Sequence, residues 1–203
     1  MEAGADAVGF VLTPSSRQVS LADAGILMGL VPKDVLGVAV FHDPTPGLLA
    51  LTESEVAPDM FQAELDSLTG LARDRILPVV VAGDAMATEL DRALEASGRG
   101  IVLVDSAARG GTGQAADWDR LAGTRRRDRM ILAGGLDPMN VGEAVSKVGP
   151  FGVDVSSGIE SSPGVKDPSL MIEFVKAARA SRPSGPGTTS EVAADFANSE
   201  KRR

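Results

Sequence analysis

Ile131-Leu-Ala-Gly-Gly-Leu136 and, further on, Phe151-Gly-Val-Asp-Val-Ser-Ser-Gly-Ile-Glu160 decide how this chain folds. Each is a short apolar run that ends in small, flexible residues. Runs of this length read as buried strands of a parallel sheet. Gly134 and Gly135 close the first run, and Ser156, Ser157 and Gly158 close the second. Backbone N–H groups exposed at such strand ends make an anion pocket. The plainer alternative is that the glycines only turn the chain into the helices that follow.

The same pattern repeats outward in both directions. Seven strands are expected, around residues 7–12, 36–41, 59–64, 76–82, 100–105, 130–135 and 152–156. Helical spacing falls between them, over roughly 21–31, 46–56, 65–73, 87–97, 117–122, 140–148 and 168–180. Ser20 is placed to cap the first helix, with Asp23 at the capping-box position. Gly70 weakens the third helix by ~1 kcal/mol, and Pro78 belongs near the start of its strand. Trp118 is expected to anchor its short helix. Asp167 caps the last helix, with Pro168 at its first position.

Unbroken alternation of strand and helix means a parallel α/β fold. Eight such units close a (βα)8 barrel of the TIM type. The count here is one short, and Glu2-Ala-Gly-Ala-Asp6 looks like the tail of a helix already leading into a strand. The expectation is therefore a barrel whose first strand and most of whose first helix are absent from this chain, with an open doubly wound sheet as the alternative. In such barrels the phosphate site lies after the last two strands, which suits the two glycine- and serine-closed runs. Residues 1–180 make the barrel domain. Residues 181–203 are rich in Ser, Gly, Pro and charge and read as a disordered tail.

Composition narrows the function. The chain has 203 residues and no cysteine, so neither a disulfide framework nor thiol chemistry is available within it. A formal charge of −8 argues against a nucleic-acid groove, though not against one phosphate group in a local pocket. No apolar stretch is long enough to span a membrane, and the first residues lack the pattern of a secretory signal. A cytoplasmic protein is the default expectation.

Taken together the motifs resemble those of phosphoribosylanthranilate isomerase, a tryptophan-biosynthesis family with a (βα)8 barrel. The resemblance is carried by Gly4-Ala-Asp-Ala-Val-Gly-Phe10, Pro14-Ser-Ser-Arg17, Leu103-Val-Asp-Ser106, Gly110-Gly-Thr-Gly113 with Asp117-Trp118, the two stretches quoted first, and Lys166-Asp-Pro168. Each motif alone is weak; their order and spacing over about residues 3–180 are specific. The resemblance implies an Amadori rearrangement of N-(5-phosphoribosyl)anthranilate without cofactor or metal. It implies Asp105 as general acid, a role that requires a raised pKa. Arg17 would pair with the anthranilate carboxylate, whose shape suits a planar fork of donors. Asp154 would contact the substrate, Gly111 and Gly113 would let a loop fold over the site, and Gly134, Gly135, Ser157 and Gly158 would donate to phosphate.

Two departures stand out. The family's general base is a cysteine in a Lys-Ile-Cys-Gly motif on the first strand, and this chain has neither that strand nor a cysteine. Where the family has Gln-Leu-His-Gly, this chain has Gln62-Ala-Glu-Leu65, so Glu64 stands in the place of a histidine. The one histidine, His42, reads as a surface loop residue and not a catalytic group. The expectation is an impaired isomerase. A phosphate-binding pseudoenzyme and another phosphosugar isomerase are the alternatives. A small phosphoribosyl compound is the expected ligand, and self-association through the open barrel edge the expected protein contact.

Overall fold

The computed structural model describes residues 3–106 and 118–181. The elements run β1 (Ala7–Val11), α1 (Leu21–Met28), β2 (Leu36–Val40), α2 (Pro46–Glu55), β3 (Met60–Glu64), β4 (Ile76–Val81), α3 (Met86–Ala96), β5 (Val102–Asp105), α4 (Trp118–Ala122), β6 (Met130–Ala133), α5 (Val141–Val148) and β7 (Gly152–Val153). A short hairpin, β8 (Glu160–Ser162) and β9 (Val165–Lys166), precedes α6 (Pro168–Ala180). Strands β1 to β7 pair in chain order in one sheet, and every pairing in it is parallel. This is the seven-stranded barrel-type α/β architecture the repeat pattern implied, with β1 and β7 at its edges.

The register sorts side chains onto two faces, because successive residues of a strand point opposite ways. Val38, Met60, Leu77, Leu103 and Ala133, one from each of β2 to β6, meet with Ile101 in an inner apolar cluster. Their strand neighbours face outward toward the helices. Ala39 and Phe61 pack with Ala24 of α1 and Leu49 of α2. Val102, Val104 and Leu132 pack with Leu90 of α3, Leu121 of α4, Val141 of α5 and Phe174 of α6. Trp118 lies against this second cluster, as expected of an anchor.

Local sequence explains the element ends. The Ser20 hydroxyl accepts from the Asp23 N–H at 3.0 Å and donates to the Asp23 carboxylate at 2.7 Å, capping α1. Thr45 caps α2, with Pro46 at its first position. Asp167 accepts from the N–H groups of Ser169 and Leu170 at the start of α6. Pro78 pairs with Ala63 of β3, and the ladder to β5 begins one residue later, at Val79.

Two expectations are corrected. The helix expected over 65–73 is two 3-10 turns, Leu65–Leu68 and Arg73–Arg75. Gly70, at φ +88°, turns the chain between them and ends any continuous helix. The strand expected over 152–156 pairs only over Gly152–Val153, because the chain leaves the sheet after the Asp154 N–H reaches the Leu132 carbonyl. The β8–β9 hairpin lies between the last expected strand and the last expected helix. The tail expected over residues 181–203 lies, from residue 182 onward, outside the described residues.

Candidate active site

A cavity of about 360 Å³ opens at the C-terminal ends of the strands. That volume suits a small phosphosugar-sized ligand. Its wall follows from strand parity. On β3, Met60 faces inward, so Gln62 and Glu64 do too, and both line the cavity. On β4 the inward row continues through Val79 and Val81, and on β5 from Leu103 to Asp105. Asp154 stands one position beyond the β6–β7 pair Leu132↔Val153, level with Ala133, and also lines the cavity. The same arithmetic on β2 runs Val38, Val40, His42. His42 is thus part of the wall. It is solvent-exposed, as a surface loop residue should be, but it does not stand apart from the site.

Among the described residues four titratable groups therefore face one space: His42, Glu64, Asp105 and Asp154. His42 Nδ1 lies 2.6 Å from Glu64 Oε1, and the Asp43 N–H donates to Glu64 Oε2 at 3.0 Å. Burial alone would raise the Glu64 carboxyl. Donation from the Asp43 and Glu64 N–H groups and from His42 outweighs it and lowers the carboxyl below its ordinary value. Asp154 is open to the cavity, yet protein mass surrounds its carboxyl. The resulting loss of hydration, and then the charge of Asp105, push it up, with Lys166 pulling the other way.

The two glycines that close β6 adopt positive φ, +94° at Gly134 and +66° at Gly135, a region favourable to glycine. Side chains hold this corner from behind. Ser106 Oγ donates to the Ala133 carbonyl at 2.6 Å, and Asn140 Nδ2 donates to the Gly135 carbonyl at 2.9 Å. Asn140 Oδ1 accepts from the Asp137 N–H, while Asp137 Oδ1 accepts from the Asn140 and Met139 N–H groups. With the carbonyls engaged, the N–H groups of Gly134 and Gly135 donate to no backbone carbonyl among the described residues. Ser157 joins these glycines in the cavity wall. Gly158 does not line the cavity. It packs so closely on the glycine corner that a Cβ there would stand 1.9 Å from the Leu136 carbonyl oxygen.

Arg17 is also outside the cavity wall. Its Nε and Nη2 donate to the two carboxylate oxygens of Glu160 at 2.7 and 2.8 Å. Arg17 and Lys166 hold the Glu160 carboxyl down at about 2, against an ordinary value of 4.5. Gly111 and Gly113 lie outside the described residues. No cluster of three or more His, Cys, Asp or Glu that could hold a metal occurs among the described residues. No helix among them is long and apolar enough to cross a membrane.

A parallel barrel-type sheet with carboxylates on inward rows and a glycine corner after the last strands narrows the comparison with known proteins. The family model of N-(5'-phosphoribosyl)anthranilate (PRA) isomerase matches residues 1–177. The chain belongs to this family. The N-(5'-phosphoribosyl)anthranilate isomerase of Citrifermentans bemidjiense is 36% identical over 188 residues, covering 88% of this chain and 89% of that protein. That of Mesorhizobium japonicum is 38% identical over 197 residues, covering 88% of each. The crystal structure of the isomerase from Thermotoga maritima superposes with a TM-score of 0.73 at 36% identity, covering 88% of this chain and 90% of that one. A phosphoribosyl anthranilate isomerase solved in complex with reduced 1-(o-carboxyphenylamino)-1-deoxyribulose 5-phosphate superposes with a TM-score of 0.72 at 33% identity, covering 88% and 90%.

Proposed function

We propose that the cavity binds N-(5-phosphoribosyl)anthranilate and directs its Amadori rearrangement to 1-(2-carboxyphenylamino)-1-deoxyribulose 5-phosphate, a step of tryptophan biosynthesis. The observation that carries this reading is the placing of Asp105 and Asp154 on inward rows of one cavity whose edge is the glycine corner. Family membership supports it.

In this reading the phosphate meets the N–H groups of Gly134 and Gly135 and the Ser157 end of the wall, with Gly158 fixing the corner from behind. Asp105 gives a proton to the ribose ring oxygen. The C1–O bond breaks and the anilino nitrogen's lone pair forms the C1=N iminium. A base on the side of the sugar opposite Asp105 takes the C2 proton and leaves an enolamine, which takes a proton at C1 and loses one from the C2 hydroxyl to become the ketone. Asp154, held toward its protonated form, sits where it can donate to a sugar oxygen. Among the described residues His42 and Glu64 are the remaining titratable groups on the wall, on the β2 and β3 side. Arg17 takes the anthranilate carboxylate, Gly111 and Gly113 contribute to substrate binding, and the chemistry needs no cofactor. The setting is the cytoplasm.

The test pairs binding with turnover. Calorimetric titration with the reduced product analogue should give one site per chain. Conversion of the substrate, followed by anthranilate fluorescence, should be lowered about 10²–10⁴-fold by D105N relative to the unmodified chain. Failure of the unmodified chain to bind the analogue would overturn the reading. Binding without any turnover would make the chain a binding module.

The same proposal includes contact between copies through the sheet edges. Among the described residues β1 and β7 are the edge strands, and the outer side of β1 carries only the single bridge Val11↔Gln18; unpaired strand edges recruit further strands. Sedimentation equilibrium should show self-association; a monodisperse monomer at high concentration would overturn this part.

A further inference from the structure

Arg17, Glu160 and Lys166 form one ion cluster beside the cavity. The Glu160 side chain is only 4% exposed, whereas Arg17 is 31% exposed. Both Glu160 oxygens are engaged by Arg17, and Lys166 Nζ adds a third bond to Oε1 at 2.9 Å. Enclosing such a carboxylate costs hydration that its partners roughly repay, so a pair like this is weak evidence for stability. Fixed geometry is its clearer product. A guanidinium is planar, so pinning Nε and Nη2 sets the direction of Nη1 as well. Nη1 makes no hydrogen bond to a described residue.

The cluster also reaches the cavity wall. Lys166 Nζ donates to the Ser156 carbonyl at 2.7 Å, and Ser156 lines the cavity. On the other side, the β8–β9 turn meets the loop that carries Arg17: a Cβ on Gly164 would stand 2.8 Å from the Ser16 carbonyl oxygen. One carboxylate thus ties the Arg17 loop, the hairpin and the serine end of the cavity together.

We propose that Glu160 is a positioning residue for carboxylate recognition. It holds the Arg17 guanidinium so that the edge it leaves unpaired meets the aromatic carboxylate of the ligand, at a set distance from the phosphate end of the cavity. This rests on the assignment of Arg17 made under the proposed function.

The experiment measures calorimetric affinity of the full chain, E160Q, R17M and the double variant for two compounds. One is the reduced product analogue; the other is the same compound without its aromatic carboxyl group. E160Q is expected to weaken the carboxylated compound at least tenfold and the carboxyl-free one less than twofold. R17M should do the same, and the double variant should be no worse than R17M, because both remove one interaction. If R17M weakens the carboxylated compound and E160Q does not, the positioning role is overturned while Arg17 keeps its assignment. If R17M is without effect, or the unmodified chain binds neither compound, the assignment of Arg17 falls and the inference with it. If E160Q weakens both compounds equally, Glu160 is merely structural and the proposal is overturned. Should E160Q fail to fold by circular dichroism, E160D is read in its place. It keeps the charge but shortens the side chain, and it should lose selectivity for the carboxylated compound in the same sense.

Discussion

Asp105 and Asp154 stand on inward rows two strands apart, at the ends of β5 and β7, and face the same cavity. Loss of hydration first, and the charge of Asp105 second, hold the Asp154 carboxyl above its ordinary value of 3.8. Removing the neighbouring charge should relax it. In D105N, Asp154 is expected to titrate at lower pH than in the unmodified chain, read from its carboxyl carbon by NMR. No movement, or movement upward, would mean that the two carboxyls do not share a field.

The same pair sets a stability prediction. A carboxyl whose folded pKa is raised binds its proton more tightly when folded, so its cost to stability sets in as pH rises past the unfolded value of 3.8 and is complete once pH has passed the folded value. D154N removes this cost. Its advantage over the unmodified chain should be nil below about pH 3 and grow as pH rises toward neutrality, measured by urea denaturation across pH. An advantage independent of pH would point to packing and not to charge.

Glu160 gives the opposite sign. Its folded value of about 2 lies below the ordinary 4.5. The stability this contributes is fully present above pH 4.5 and is lost as pH falls through 2. E160Q should therefore flatten the fall in stability between those two values. An unchanged acid slope would show that Arg17 and Lys166 do not hold the carboxylate in solution.

Gly158 is constrained by space. A Cβ there would meet backbone, 1.9 Å from the Leu136 oxygen and 2.9 Å from the Asp137 Cα, so the corner itself must shift. G158A is expected to cost about 1–3 kcal/mol, as overpacking does, and to weaken inorganic phosphate and the product analogue alike. A variant of normal stability and normal phosphate affinity would show that the corner is softer than its contacts imply.

The pair His42–Glu64 is half-exposed, with side chains 71% and 36% accessible. Exposed ion pairs contribute little, so E64Q should change stability by no more than about 1 kcal/mol. Its position on the wall is the more informative feature. The product analogue should shift the His42 ring resonances in NMR; an unmoved ring would place the ligand clear of β2.

Much of this was legible in the chain. Apolar runs at 36–41, 76–82 and 100–105 mark buried strands whatever surrounds them, because continuous Val, Leu and Ile suit a sheet covered on both faces. Ser20, Thr45 and Asp167 cap helices through bonds to residues two or three places on, so local sequence suffices there. Leu65 to Arg73 misled because its leucines keep helical spacing while Gly70 breaks the backbone path, and spacing alone does not weigh the two. His42 was missed as a wall residue although the signal was present: it follows Val38 and Val40 at strand period on the inward face. A loop reading that stops counting at the strand end loses it.

The sequence by itself determined the order of the seven sheet strands, the barrel-type class, the family, and the identity of Asp105, Asp154 and the glycine corner as candidates. These depend on patterns that repeat within a few residues and on motifs in fixed order. Only the tertiary structure decided which charges meet. Arg17 and Glu160 are 143 residues apart in the chain, and His42 and Glu64 are 22 apart on different strands. Their pairing depends on sheet register and on where a hairpin lands, and strand period carries no information about either.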